Sequence, residues 1–255
     1  MSHSGRIFIS PDEVKRLRDQ IVGKICGGKC EQGALLVNKV FQDCECLIEF
    51  KKQFKFVCAS ISRKYWNFTL DDLLPTFVSS NNTALSLVQG YIEKVEEMVE
   101  QGVGLYIQGK SGLAKSAIAS YILKEAQLKG YECYCIRMSQ LTKTVFESLD
   151  EPEKRDLLKW IKDRVQLLLI DEIDKDYKVQ NVEGFAGNQI NEFFGDIYNS
   201  RKALIVTSNL SKKDLSKVHA LNVVDRLSEL ADIVLVGESY RKPNAAFEKI
   251  LGETK

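Results

Sequence analysis

The run Gly109-Lys110-Ser111-Gly112-Leu113-Ala114-Lys115-Ser116 has the spacing of a phosphate-binding P-loop, with alanine where the second glycine of the pattern normally stands. Such a loop aims successive backbone N–H groups at phosphate oxygens, and the helix after it presents the positive end of its dipole. Lys115 is placed to reach the β- and γ-phosphates. Ser116 is placed to help hold Mg²⁺, an ion that prefers oxygen ligands. The chemistry predicted is therefore binding of a nucleoside triphosphate, ATP or GTP. Glycine is usual at position 114 because the backbone approaches phosphate closely and takes dihedrals that a Cβ disfavours. Ala114 accordingly predicts nucleotide binding with slow or partner-stimulated hydrolysis.

A second signal agrees with the first. Leu167-Leu168-Leu169-Ile170-Asp171-Glu172 is an apolar strand ending in two carboxylates, the Walker B pattern. Asp171 is predicted to support Mg²⁺, and Glu172 to polarise an attacking water as general base. Thr207-Ser208-Asn209 ends the next apolar strand, where a polar side chain such as Asn209 can sense the γ-phosphate or place water.

The elements that must position these groups alternate along the chain. Strands are predicted at 104–108, 132–137, 166–170, 203–207 and 232–236, with helices at 115–129, 187–200 and 221–230 and helical patterns through Trp160. Near-continuous apolar strands separated by amphipathic helices mean an α/β fold with a parallel sheet covered on both faces. Ahead of it, Leu85, Val88, Tyr91, Ile92, Val95, Met98 and Val99 predict one amphipathic helix ended by Gly102. Residues 11–25 read as a helix, and residues 46–58, apolar and basic by turns, as short strands.

Five of the seven cysteines fall between Cys26 and Cys58. Cys26, Cys30, Cys44 and Cys46 form two short-spaced pairs, which suits a tetrahedral four-thiolate Zn²⁺ site, with Cys58 as a substitute for one member of the second pair. His3 and His219 lie far from the cluster in sequence. Cys133 and Cys135, alternating with Tyr134, read as small apolar residues of a strand. After the cluster, Lys51, Lys52, Lys55, Arg63 and Lys64 interleave with Phe50, Phe54, Phe56, Tyr65 and Trp66. That mixture fits either a single-stranded nucleic acid surface or a basic face over a small aromatic core. The division expected is a cysteine-rich domain over 1–60 and one α/β domain over 61–255.

Composition bounds the rest. The chain has 255 residues, 44% hydrophobic and 28% charged, with a net charge of +1. This excludes a strongly basic nucleic-acid protein but permits a local basic patch. There is no membrane-spanning run and no apolar signal core near Met1, so a cytoplasmic location is expected.

Taken together, the P-loop, Ile170-Asp171-Glu172, Thr207-Ser208-Asn209-Leu210, Asp225-Arg226-Leu227 and Gly237-Glu238-Ser239-Tyr240-Arg241 resemble the AAA+ ATPases of the DnaC/DnaI/IstB group. The segment Tyr65-Trp66-Asn67-Phe68-Thr69-Leu70-Asp71-Asp72-Leu73 resembles that group's lead-in to the ATPase core, so the similarity covers about residues 63–243. The resemblance implies self-association through ATP sites at subunit interfaces. It implies that Arg226 is an arginine finger completing a neighbour's site, and that Arg241 reads nucleotide state. With the cysteine domain attached, it implies a replicative helicase loader that grips its helicase through residues 1–60 and binds single-stranded DNA through the core. Two other readings stand beside it: an IstB-like ATPase regulating DNA transposition, and an adaptor that holds ATP without hydrolysing it.

Overall fold

The computed structural model describes residues 9–37, 40–175 and 185–239. Helix α1 (Pro11–Ile21) starts at Ser10, whose side chain accepts from the Glu13 N–H, and it buries Leu17 and Ile21. A glycine-rich loop carries the chain to a hairpin of β1 (Ala34–Val37) and β2 (Val40–Asp43), paired antiparallel. Helix α2 (Glu45–Cys58) comes next, and α1 packs on it.

Here the structure corrects the expectation of short strands over 46–58. Phe50 and Phe54 stack with ring centroids 5.9 Å apart, and Gln53 donates to Glu49 at 2.7 Å. Both pairs are spaced four residues apart, so the segment's regularity has the helical period and not the strand period of two. The same helix turns Phe56 inward, where it is fully buried and meets the Trp66 ring at 6.2 Å. Much of the interleaved aromatic content is thus spent on packing. Lys51 pairs with Asp43, and Lys52 with Glu49 at 3.8 Å.

After a short α3 (Pro75–Ser80), the long helical pattern before the P-loop is realised in two pieces, α4 (Asn82–Glu93) and α5 (Val95–Glu100). The apolar spacing is kept across the breaks, because Val88, Tyr91, Val95 and Val99 all enter one core. Gly102 has φ +69, and a Cβ there would lie 2.2 Å from the Arg201 carbonyl oxygen, so the turn into the sheet requires glycine.

Beyond that glycine the α/β expectation holds, through β3 (Leu105–Gln108), α6 (Lys115–Lys129), β4 (Cys133–Arg137), α7 (Met138–Glu147), α8 (Pro152–Arg164), β5 (Leu167–Asp171), α9 (Phe185–Asn199), β6 (Ala203–Ser208), α10 (Lys212–Leu215), α11 (Leu221–Ser228) and β7 (Ala231–Val234). The short α10 is an addition to the predicted elements. The five strands form one parallel sheet in the order β4-β5-β6-β3-β7. Alternation divides the strand residues between two cores. Leu167, Leu169 and Ile205 face α4, α5 and α6, whereas Leu168, Ile170 and Val206 face α7, α8, α9 and α11. Each such fully buried side chain contributes roughly 1.5–3 kcal/mol. The order matters for the site, because β6 lies between β3 and β5. The carboxyl ends of all three therefore open onto one crevice, where open α/β sheets bind ligands. Among the described residues no helix is long and apolar enough to cross a membrane.

Candidate functional site

The loop from Gly109 to Ala114 joins β3 to α6, and three of its residues take positive φ: Gly109 at 154°, Gly112 at 87° and Ala114 at 54°. The segment after β7 crosses this loop. A Cβ on Gly109 would lie 2.5 Å from the Leu235 carbonyl oxygen, and one on Gly112 would lie 2.0 Å from Ser239 Oγ. That crossing segment is braced by the buried Asn81, which donates to the Val236 carbonyl at 2.9 Å and accepts from its N–H at 2.7 Å. Ala114 sits at the N-cap of α6 with ψ 12°, squarely in the left-handed region. A non-glycine residue there costs of order 1–2 kcal/mol, so the departure from the P-loop pattern falls on a position where glycine has a conformational reason.

Lys115 is only 8% exposed. Its Nζ donates to the carbonyls of Gly109 (2.7 Å) and Lys110 (2.8 Å) and to Asn209 Oδ1 (2.9 Å). Burial lowers its pKa, opposed by the nearby Asp174, Asp171 and Glu172. On the other side of the crevice Asp171 Oδ1 accepts from Ser116 Oγ (2.7 Å) and from Thr207 Oγ1 (2.6 Å). The Glu172 N–H in turn donates to Thr207 Oγ1 at 2.8 Å. Glu172 is also left-handed, with φ 56°, and its carboxylate pairs with Lys175 Nζ at 2.8 Å. Lys115, Ser116, Asp171, Glu172 and Asn209, which are far apart in sequence, are therefore brought together in two hydrogen-bonded groups, Lys115 with Asn209 and Ser116 with Asp171, Thr207 and Glu172.

One member, Asp174, was missed by sequence reasoning, and a second, Thr207, was quoted in its motif without the role it takes here. Asp174 holds Asn209 with both oxygens, accepting from its backbone N–H (2.9 Å) and from Nδ2 (2.8 Å). That grip turns the Asn209 carbonyl oxygen toward Lys115. Thr207, fully buried at the end of a wholly apolar strand, ties Asp171 to Glu172. A buried threonine at that place, and a third acid two residues after Glu172, were signals available in the sequence.

Lys115, Ser116, Glu172, Asp174, Thr207 and Asn209 line a cavity of about 350 Å³, within the ~300–1,000 Å³ of small-molecule sites. It is lined by residues 111–117 of the phosphate loop and helix start, and also by Lys64, Tyr65, Phe68, Asp72 and Leu73 of the segment before α3. Arg226 is not part of this lining. It is half-buried on α11, donates to the Asn191 carbonyl at 3.0 Å and packs over Gly195 of α9. Arg241 lies outside the described residues.

At the other end of the chain, the four cysteines 26, 30, 44 and 46 come together, with their sulfurs all within 4.8 Å of one another. Tetrahedral Zn–S bonds of ~2.3 Å separate sulfurs by about 3.8 Å, so the grouping is compatible with that ion. Cys44 and Cys46 are buried, and positive-φ glycines 27 and 28 turn the loop between the first pair. A hydrogen bond from Cys46 holds the Cys26 thiol down to about 6. Cys58, at the far end of α2, is not among the clustered four.

Residues 105–249, more than half of the chain, match the sequence profile of the ATPase family associated with various cellular activities (AAA). Among solved structures, the chain is similar to the DnaC helicase loader, at 25% identity and a TM-score of 0.59, with 69% of this chain and 100% of that one covered. It is similar in fold to DnaI, at 17% identity and a TM-score of 0.56, over 71% of this chain and 94% of that one. A putative primosome component from Streptococcus pyogenes serotype M3 gives 22% identity and a TM-score of 0.55, over 72% and 93%. No curated protein matches the chain.

Proposed function

The chain belongs to the AAA family of ATPases, and on that footing we propose that it is a DnaC/DnaI-like helicase loader that binds and slowly hydrolyses ATP during DNA replication. The carrying observation is the convergence of Lys115, Ser116, Glu172 and Asn209 on one cavity at the ends of β3, β5 and β6, with Asp171 hydrogen-bonded to Ser116 beside it. Lys115, now capping loop carbonyls, exchanges them for the β- and γ-phosphates. Ser116 and Asp171 present only oxygen ligands, 2.7 Å apart, so they fit Mg²⁺, which would neutralise phosphate charge. Glu172 orients and deprotonates water, and Asn209, held by Asp174 with its oxygen on Lys115, senses the terminal phosphate through that lysine. Arg226, absent from its own chain's cavity, serves that of a neighbouring copy, and Arg241 reads nucleotide state. Such a trans arginine adds ~10³–10⁵-fold in related phosphoryl transfers.

The N-terminal residues 1–60 act as a zinc-stapled partner domain, with residues 61–255 as the ATPase and single-stranded DNA unit. The hairpin β1–β2 supports the partner role, because Leu36, Val40 and Phe41 are exposed, Phe41 at 73%. Apolar side chains grouped in this way on a small unit suit a protein interface. Phe41→Asp is expected to abolish co-purification with the replicative helicase of the same organism while leaving ATP-analogue affinity at the wild-type value. Unchanged capture of the helicase would refute the hairpin as the docking element.

Ala114→Gly tests the tuned loop. It removes left-handed strain of ~1–2 kcal/mol and adds backbone entropy of ~0.5–1 kcal/mol. Tm is therefore expected to move by no more than ~4 °C, while ATP turnover rises. Turnover equal to or below wild type would show that the methyl group does not limit the reaction.

A further inference from the structure

Lys124 lies on α6, more than two turns beyond Lys115, and is 4% exposed. Burying an ammonium is costly unless its protons find acceptors. Two backbone carbonyls take them, Phe68 at 2.6 Å and Trp66 at 2.9 Å, and the Tyr121 ring lies 5.1 Å from Nζ. Neither acceptor is a carboxylate, so Lys124 is directed at backbone and not at a charge.

Both carbonyls belong to the short stretch between two single-turn 3₁₀ helices, Arg63–Tyr65 and Leu70–Asp72. This stretch brings Phe68 to the cavity and has no regular structure of its own. It is otherwise held by side chains. The Trp66 indole donates to the Ile61 carbonyl at 2.9 Å, and the Phe68 ring stands edge-on to Tyr121 at 6.3 Å. Tyr65, Phe68, Asp72 and Leu73 line the same cavity as the phosphate loop. A nucleotide whose phosphates occupy that loop has this wall left for its base and sugar.

We propose that Lys124 is the positioning residue for the nucleobase end of the cavity. Its ammonium fastens the Trp66 and Phe68 carbonyls to the same helix that begins with Lys115. The wall and the phosphate loop thereby keep a fixed separation, set by one rigid helix, at which a nucleoside triphosphate spans them. The inference rests on the reading of this cavity as a nucleotide site.

The test compares two Mg²⁺-bound ligands by calorimetry: a non-hydrolysable ATP analogue, which uses both ends of the cavity, and inorganic tripolyphosphate, which uses only the loop. Lys124→Met keeps the aliphatic stem and removes the donors. It is expected to weaken the ATP analogue by about tenfold, as loss of a charged buried hydrogen-bond donor should, and to leave tripolyphosphate unchanged. Lys124→Arg, which keeps the charge and donors, should recover part of the loss. Equal weakening of both ligands, or of neither, overturns the assignment. A wild-type chain that binds neither ligand overturns the nucleotide reading instead. If Lys124→Met does not fold, the question is read on the wild-type chain from the ¹⁵N-labelled lysine ammonium signal of Lys124. That signal should shift with the ATP analogue and not with tripolyphosphate, and a shift with both alike or with neither sinks the proposal.

Discussion

Glu172→Gln is expected to lower steady-state ATP turnover by ~10²–10⁴-fold, the usual contribution of a general base, while the chain still binds ATP. Glutamine preserves the shape and the backbone hydrogen bond to Thr207 Oγ1, so folding should be unaffected. What it removes is the carboxylate that accepts the proton. The position is already unusual, because Glu172 holds a left-handed backbone at φ 56°, and such strain costs ~1–3 kcal/mol where it persists. The compensating bond through Thr207 fixes Glu172 and Asp171 relative to each other. The Glu172–Lys175 pair is partly exposed and of the kind worth at most ~1 kcal/mol, so it does not compete strongly with substrate. Phosphate release and analogue binding measured on the same preparation separate the outcomes. Turnover unchanged in the glutamine variant would mean that Glu172 is not the base, and would favour the adaptor that holds ATP without hydrolysing it.

The second large effect concerns the cysteine centre. Protein purified without chelator is expected to carry one zinc per chain, and Cys44→Ser to lose it. Loss of the ion should unfold the segment from α1 to the start of α2, because that segment has very little core: α1 buries only Leu17 and Ile21, and every residue of β2 is exposed. A unit this small lacks the burial to fold alone, whereas structural zinc supplies an apparent ~10–16 kcal/mol in small domains. The five-stranded sheet has two cores of its own and should stay folded. Hydrogen exchange resolved along the sequence checks this, with protection lost over residues 11–46 and kept over β3, β5 and β6. Less than about half a zinc per chain, or full protection in the serine variant, would exclude a metal staple.

Lys115 and Ser116 were legible from the loop spacing, and other chemistry-bearing groups because they occupy strand ends, which follow from apolar runs that stop abruptly. Asp171 and Asn209 are of this kind. Their neighbours were harder to read. Asp174 acts only through Asn209, whose position depends on β6 lying between β3 and β5, and no local pattern reports strand order. The segment after the cysteines misleads because Phe50, Phe54 and Phe56 carry both alternating and helical spacings, and the pairing partners that decide between them appear only on folding. The break of the long helical pattern at Lys94 had no proline or glycine to mark it, since the apolar residues on either side keep one phase. Lys124 carried no signal at all, because a lysine in an amphipathic helix normally reaches for water.

The strand order also dictates when this chain can begin to work. Leu105, on the strand that carries the phosphate loop, pairs with Ile205 on one side and Ala231 on the other, and with no strand close to it in sequence. During synthesis the loop and its helix emerge long before either neighbour exists, leaving an apolar strand with both edges open. Contacts between such distant segments form slowly, and unpaired edges of this kind invite aggregation or chaperone binding. A nascent chain halted before residue 203 should therefore contain the whole phosphate loop and yet bind no nucleotide. Competence should arrive only after the ribosome has released the last strand, so that translation itself delays the first encounter with ATP.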